Sequence, residues 1–288
     1  MMNRRQFTKL ALIGSASLAP LLSCAASPDS HKTSVPPPLS KNEADAKSKK
    51  AHEAFMSVKD GNFKMMGEEH IGMVLYQGFA ALDMVAPHYL FASMMGAKIY
   101  LISPTDDLKP VISGEKLAIV PTHTQQDCPK NLDILFIPGG ASGTLAAMKN
   151  TRLIDFIANR AATAKYLTSV CTGSLLLGKA GLLKGKKATS HWVALELLSE
   201  FGATPVKQRV VWDGNLVTGG GVTAGLDFGL EIVAALRGKM YAEVLQLQAE
   251  YNPAPPFDSG SPDKASPFVK DNITDMFAPL IQGMREAV

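Results

Sequence analysis

The chain of 288 residues has only three cysteines, Cys24, Cys128 and Cys171, and none belongs to a C-x-x-C pair. An odd count without paired spacing provides no disulfide framework. Nowhere do His, Cys and carboxylate residues follow the spacing of a zinc site, so no metal is expected. Asp227 and Glu231 share a helix face but have no further ligand cluster beside them. The formal net charge is only +3, and no Lys/Arg stripe with interleaved aromatics is present, so nucleic acid is not implied as a partner. Internal repeats are absent. Charged residues make up 19% and hydrophobic residues 46%, a balance that fits a globular protein with a sizeable core.

The N-terminus reads as an export signal spanning 1–24. Arg4-Arg5-Gln6-Phe7-Thr8-Lys9 is basic and is followed by the apolar run 10–22. A membrane-spanning helix needs about 20 such residues, so this run is too short for one. The paired arginines resemble a twin-arginine signal, and Leu21-Leu22-Ser23-Cys24 resembles a lipobox in which Cys24 would be lipidated. An exported, periplasmic location follows, with membrane contact only through the signal or a lipid anchor. Residues 25–67 are rich in Ser, Pro, Lys and Ala and read as a flexible tether, with a short helix over 44–56.

From residue 68 the texture changes. Short apolar runs at 71–76, 98–103, 132–137 and 166–170 alternate with helical stretches at 82–95, 153–162 and 173–180. A small hairpin is expected at 112–121. Beyond it come a helix at 193–201, strands at 206–212 and 216–218, and helices at 223–236 and 240–251. Brief, fully apolar strands alternating with helices predict a mostly parallel sheet covered on both faces, a three-layer α/β sandwich of flavodoxin type. The domain runs over 68–251. A Pro-rich extension, 252–288, follows with a short helix at 272–284.

In such sheets ligands sit beyond the carboxyl ends of the strands. Three loops there carry unusual residues. Ser169-Val170-Cys171-Thr172-Gly173 has small residues two positions on either side of the cysteine, as a nucleophile elbow requires. Cys171 then lies at a helix start, which favours a thiolate. Pro138-Gly139-Gly140 ends another strand, and the Gly140 amide, with that of Thr172, is placed to bind developing negative charge. Asp83 begins the helix after the first strand. It reads either as a helix cap or as an acid–base group whose carboxyl is raised by a facing thiolate. His191 follows a strand-like stretch and has both a structural and a catalytic reading. Cys128, before Pro129, reads as an inert thiol on a surface loop without electropositive neighbours.

These residues resemble the ThiJ/PfpI superfamily, cysteine-elbow relatives of class I glutamine amidotransferases. The anchors are Asp83, Ile137-Pro138-Gly139-Gly140, the Cys171 elbow and His191. Within the superfamily, Val170-Cys171-Thr172-Gly173-Ser174, Ala188-Thr189-Ser190-His191-Trp192 and the stretch 251–257 look most like the isonitrile-hydrating branch. The peptidase-like branch has His directly after the cysteine, where this chain has Thr172. The resemblance implies a homodimer that hydrates a small-molecule isonitrile to an N-substituted formamide without metal or organic cofactor. It carries over Cys171 as nucleophile, Asp83 as acid–base partner and Thr172 as a contributor. A glyoxalase-, deglycase- or amidase-like thiol enzyme, and a non-enzymatic redox sensor or binding protein, are the competing readings. About 37 residues follow Tyr251, too few and too Pro-rich for a helix-turn-helix pair.

Overall fold

The computed structural model describes residues 38–59 and 61–288, so the signal motifs and Cys24 lie outside the described residues. Residues through Lys50 form one unit and Ala51–Val288 a second. Helix α1, Lys41–Met56, has no buried residue. The second unit contains the whole sheet.

Its strands β1 (His70–Val74), β5 (Ile134–Ile137) and β6 (Tyr166–Val170) are buried on both faces after at most one outer residue. With β2 (Lys98–Ile102), β9 (Val210–Asp213) and β10 (Leu216–Gly219) they form one sheet in the order β2-β1-β5-β6-β10-β9. All neighbours pair in parallel except β9, which runs antiparallel to β10 at the edge. The parallel strands thus follow the 2-1-3-4-5 flavodoxin-like order, with its switch point between β1 and β5. Two small pairs lie apart: β3 (Val111–Ile112) with β4 (Ala118–Ile119), and β7 (Lys187–Ala188) with β8 (Thr204–Pro205).

The helices form two packed groups. Helix α2 (Ala81–Ala92) lies on α6 (Ala224–Arg237), which contacts α7 (Lys239–Gln248). The second group comprises α3 (Ala141–Met148), α4 (Thr151–Ala161) and α5 (Gly173–Lys179), with α8 (Pro267–Arg285) against α3. Leu135, Phe136, Val170, Leu176, Phe228 and Ile232 are among the fully buried side chains between these layers.

Several expectations need correction. Helix α3 was not anticipated. The stretch Trp192–Phe201 is a 3-10 helix, closed by Gly202 in the left-handed conformation. Of the expected strand at 206–212 only 210–212 is strand, within β9; residues 206–209 are irregular and follow β8. The C-terminal helix is longer than expected, capped by Ser266 with Pro267 in its first turn, and it buries Met284. Residues 62–67, assigned to the tether, pack on the domain through Phe63 and Met65. The fully buried Arg237 anchors this stretch: its guanidinium pairs with Glu69 at 2.5–2.6 Å and donates to the carbonyls of Met65 and Met95. Cys128 is buried, not on the surface, and Arg160 donates to its carbonyl at 3.3 Å. Burial raises that thiol, with Arg160 opposing.

Candidate active site

The loops after β1, β5 and β6 meet at the switch point. Cys171 has φ +58°, a left-handed conformation that a side chain tolerates only when its surroundings enforce it. Four hydrogen bonds do so. Its amide donates to Gly219 O at 3.1 Å and Gly220 O at 2.7 Å, and its carbonyl accepts from Ser174 Oγ at 3.2 Å and Ser190 Oγ at 3.1 Å. Gly173 is required because a Cβ there would stand 2.6 Å from Pro138 O. The turn is therefore as sharp as the elbow spacing predicts.

Asp83 is completely buried and does not cap its helix. The α2 amide at Ala81 is capped instead by Glu115 Oε2, at 2.8 Å, from the β3–β4 hairpin. This frees the Asp83 carboxyl to turn inward, where Oδ2 accepts the Gly139 amide at 2.9 Å and Oδ1 has no well-formed hydrogen bond. A Cβ on Gly139 would lie 2.8 Å from Asp83 Oδ2 and 2.6 Å from the Thr172 amide nitrogen, so only glycine fits between the two loops.

Burial is the main cause that raises Asp83, to about 7; the Gly139 amide and the Cys171 thiol pull it down, and Glu115 adds a small upward push. Like charge from a thiolate, the expected cause, is not what raises it. Burial, followed by the charge of Asp83, pushes the Cys171 thiol well above its ordinary range, against the Thr172 amide. The expected thiolate stabilisation is thus outweighed: α5 has only seven residues, and the sulfur is shut away from water. Thiol and carboxyl titrate as a pair that retains at least one proton at neutral pH.

Of the two amides expected to receive negative charge, that of Gly140 donates within the protein to Thr172 Oγ1 at 3.1 Å, whereas that of Thr172 faces the Cys171 sulfur; the adjacent Gly139 amide donates to Asp83. His191 is not joined to Cys171 by any hydrogen bond; its Nδ1 accepts the Val193 amide at 3.5 Å, and burial lowers its pKa. It lines a cavity of about 450 Å³ together with Ser190, Trp192, Arg209, Gly220 and Thr223. Ser190 and Gly220 are the same residues that hold the Cys171 backbone, so this cavity adjoins the elbow. Asp227 pairs with Arg209 and accepts from Tyr251, and Glu231 accepts from Trp212. Among the described residues, no group of three or more His, Cys, Asp or Glu side chains is placed to hold a metal.

Sequence reasoning passed over Tyr76, Thr144 and Ser190. Tyr76 and Thr144 carry no local signal, because what makes them notable is a contact across 68 residues of chain.

The pattern of the DJ-1/PfpI family matches residues 69–235, which include Asp83, Gly139, Cys171 and His191. The chain belongs to the DJ-1/PfpI family. Isonitrile hydratase from Pseudomonas putida is 49% identical over 212 residues, covering 74% of this chain and 91% of that protein. The crystal structure of a ThiJ/PfpI family protein from Pseudomonas syringae superposes with a TM-score of 0.77 at 49% identity, covering 80% of this chain and 95% of the other. More distant relatives include DJ-1alpha of Drosophila melanogaster, 27% identical over 150 residues, which are 51% of this chain and 69% of that one. DJ-1 of Schizosaccharomyces pombe, with a TM-score of 0.55 at 20% identity over 64% of this chain and all of that one, shares the fold.

Proposed function

We propose that this chain hydrates an isonitrile to an N-substituted formamide, with the Cys171 sulfur as nucleophile and Asp83 as its proton-transfer partner. The observation that carries this reading is the buried Asp83–Cys171 pair, in which the carboxyl is held at about 7 beside a protonated thiol. A general acid–base works best when its pKa lies near the operating pH. The resemblance to the Pseudomonas putida hydratase supports the substrate class.

In the first step the sulfur bonds to the terminal isonitrile carbon while the S–H bond breaks. Asp83 gives a proton to that carbon and takes the thiol proton, leaving a thioimidate, R–N=CH–S–Cys171. Water then adds to the C=N bond: its oxygen joins the carbon and the nitrogen gains hydrogen, with Asp83 relaying the proton. The C–S bond breaks, sulfur regains its proton, and R–NH–CHO departs. The Thr172 amide, which favours the thiolate, offsets charge on sulfur while the S–C bond forms and breaks. The reading includes a homodimer and an exported, lipid-anchored location.

A glyoxalase- or amidase-like activity would draw on an imidazole beside the sulfur, and His191 makes no such contact. A turnover screen of purified protein against small isonitriles, methylglyoxal and chromogenic amides tests the reading. Formamide production alone is expected; turnover confined to methylglyoxal or an amide would overturn it.

A further inference from the structure

A chain of buried hydroxyls runs behind the elbow: Tyr76, Thr144 and Thr172, each no more than 4% exposed. The direction of every hydrogen bond in it can be derived by counting protons. Tyr76 has one hydroxyl proton, and the Pro138 carbonyl, 2.7 Å away, can only accept, so the proton is used there. The 3.1 Å contact between Tyr76 and Thr144 must therefore be donated by Thr144, which uses its only proton. Thr144 Oγ1 then accepts across its 2.8 Å contact with Thr172, and the Thr172 hydroxyl is the donor. The Gly140 amide, donating to the same Thr172 oxygen at 3.1 Å, agrees with this direction.

Thr172 directly follows Cys171, and its hydroxyl makes no well-formed hydrogen bond to the neighbouring sulfur, where its proton would favour the thiolate. We propose that Tyr76 and Thr144 are positioning residues that commit the Thr172 hydroxyl proton to Thr144 and withhold it from the Cys171 sulfur. The sulfur is thereby kept as a thiol until its proton leaves in concert with Asp83. This role rests on the reading of Cys171 as nucleophile but not on the identity of the substrate. The titratable groups facing the sulfur are Asp83 on α2 and Tyr76 beyond β1, with Glu115 of the hairpin acting on Asp83.

Deleting a hydroxyl from this chain should therefore make the thiol more reactive. In Thr144→Val, Thr172 loses its acceptor and turns to the sulfur. In Tyr76→Phe, Thr144 loses its own acceptor, donates to Thr172, and frees the Thr172 proton in the same way. The test measures Cys171 alkylation by iodoacetamide against pH in the full chain, with peptides resolved by mass spectrometry. Both variants should move the Cys171 midpoint to lower pH and speed alkylation at pH 8 by about tenfold, the scale of one hydrogen bond to a charged group. Thr144→Ser, which keeps the hydroxyl, should behave as wild type. Cys128, measured in the same samples, should be unchanged. A Cys171 midpoint that stays put or rises in folded Thr144→Val would overturn the inference, as would a parallel rise at Cys128. Thr144→Val, the smaller perturbation, decides the matter even if Tyr76→Phe does not fold. The assay contains no isonitrile, so its outcome is separable from that of the hydratase reading.

Discussion

Asp83→Asn should stabilise the protein at alkaline pH while abolishing its chemistry. Raised from 3.8 to about 7 chiefly by burial, the carboxyl ionises less readily in the folded state than in the unfolded chain. The unfolded state therefore loses its proton first as pH rises, and stability falls between these two values. Below pH 4 the group is protonated in both states and carries no penalty. At pH 8 the penalty from a pKa of about 7 instead of 3.8 is about 4 kcal/mol, at 1.36 kcal/mol per tenfold change. Asparagine retains an oxygen for the Gly139 amide, carries no charge, and must leave part of its amide unpaired beside the sulfur. We expect a net gain of about 1–3 kcal/mol at pH 8, after about 1–3 kcal/mol is lost to the unpaired group. Urea unfolding at pH 5 and pH 8 measures it. The wild type should lose stability between the two, and Asp83→Asn should lose markedly less. Equal pH dependence, or a variant less stable than wild type at pH 8, would refute the burial argument.

Gly139→Ala should cost about 1–3 kcal/mol by overpacking the loop between Asp83 and Thr172, and thermal unfolding together with formamide turnover should fall in parallel. Arg237→Met should cost about 3–5 kcal/mol in urea unfolding, because it strands Glu69 beside a buried site; an effect below 1 kcal/mol would mean that residues 62–67 are not anchored as described. Export is read from the N-terminal motifs: Arg4→Lys with Arg5→Lys should trap precursor in the cytoplasm, and Cys24→Ala should release exported protein from the membrane, both seen by fractionation.

The fold was legible wherever burial on both faces leaves a continuous apolar run. Strand β6 was read to the residue, and the elbow followed from the small side chains on either side of Cys171. Helix α3 was hidden because Ala141–Met148 has small residues and little amphipathic contrast, so the double glycine before it dominated the reading. The start of α8 was present in Ser266-Pro267, a cap followed by a first-turn proline, but within a Pro-rich extension that proline read as a breaker and the helix was begun at 272. The position of Asp83 was legible, but its environment was not. Its cap role passed to Glu115, some thirty residues on, and its elevated pKa comes from burial, which no local spacing encodes. Cys128 was misplaced for the same reason.

The central claim is that Cys171 and Asp83 act as one unit on an isonitrile. Its most direct test is formamide production from a small isonitrile by wild type, Cys171→Ala, Asp83→Asn and the double variant, followed by chromatography. Wild type should turn over, and each single variant should lose about 100-fold or more. The double variant should be little worse than either, since groups acting in one step are not additive. Wild-type protein inert to the isonitriles, full activity in Cys171→Ala, or losses that multiply in the double variant would contradict the account.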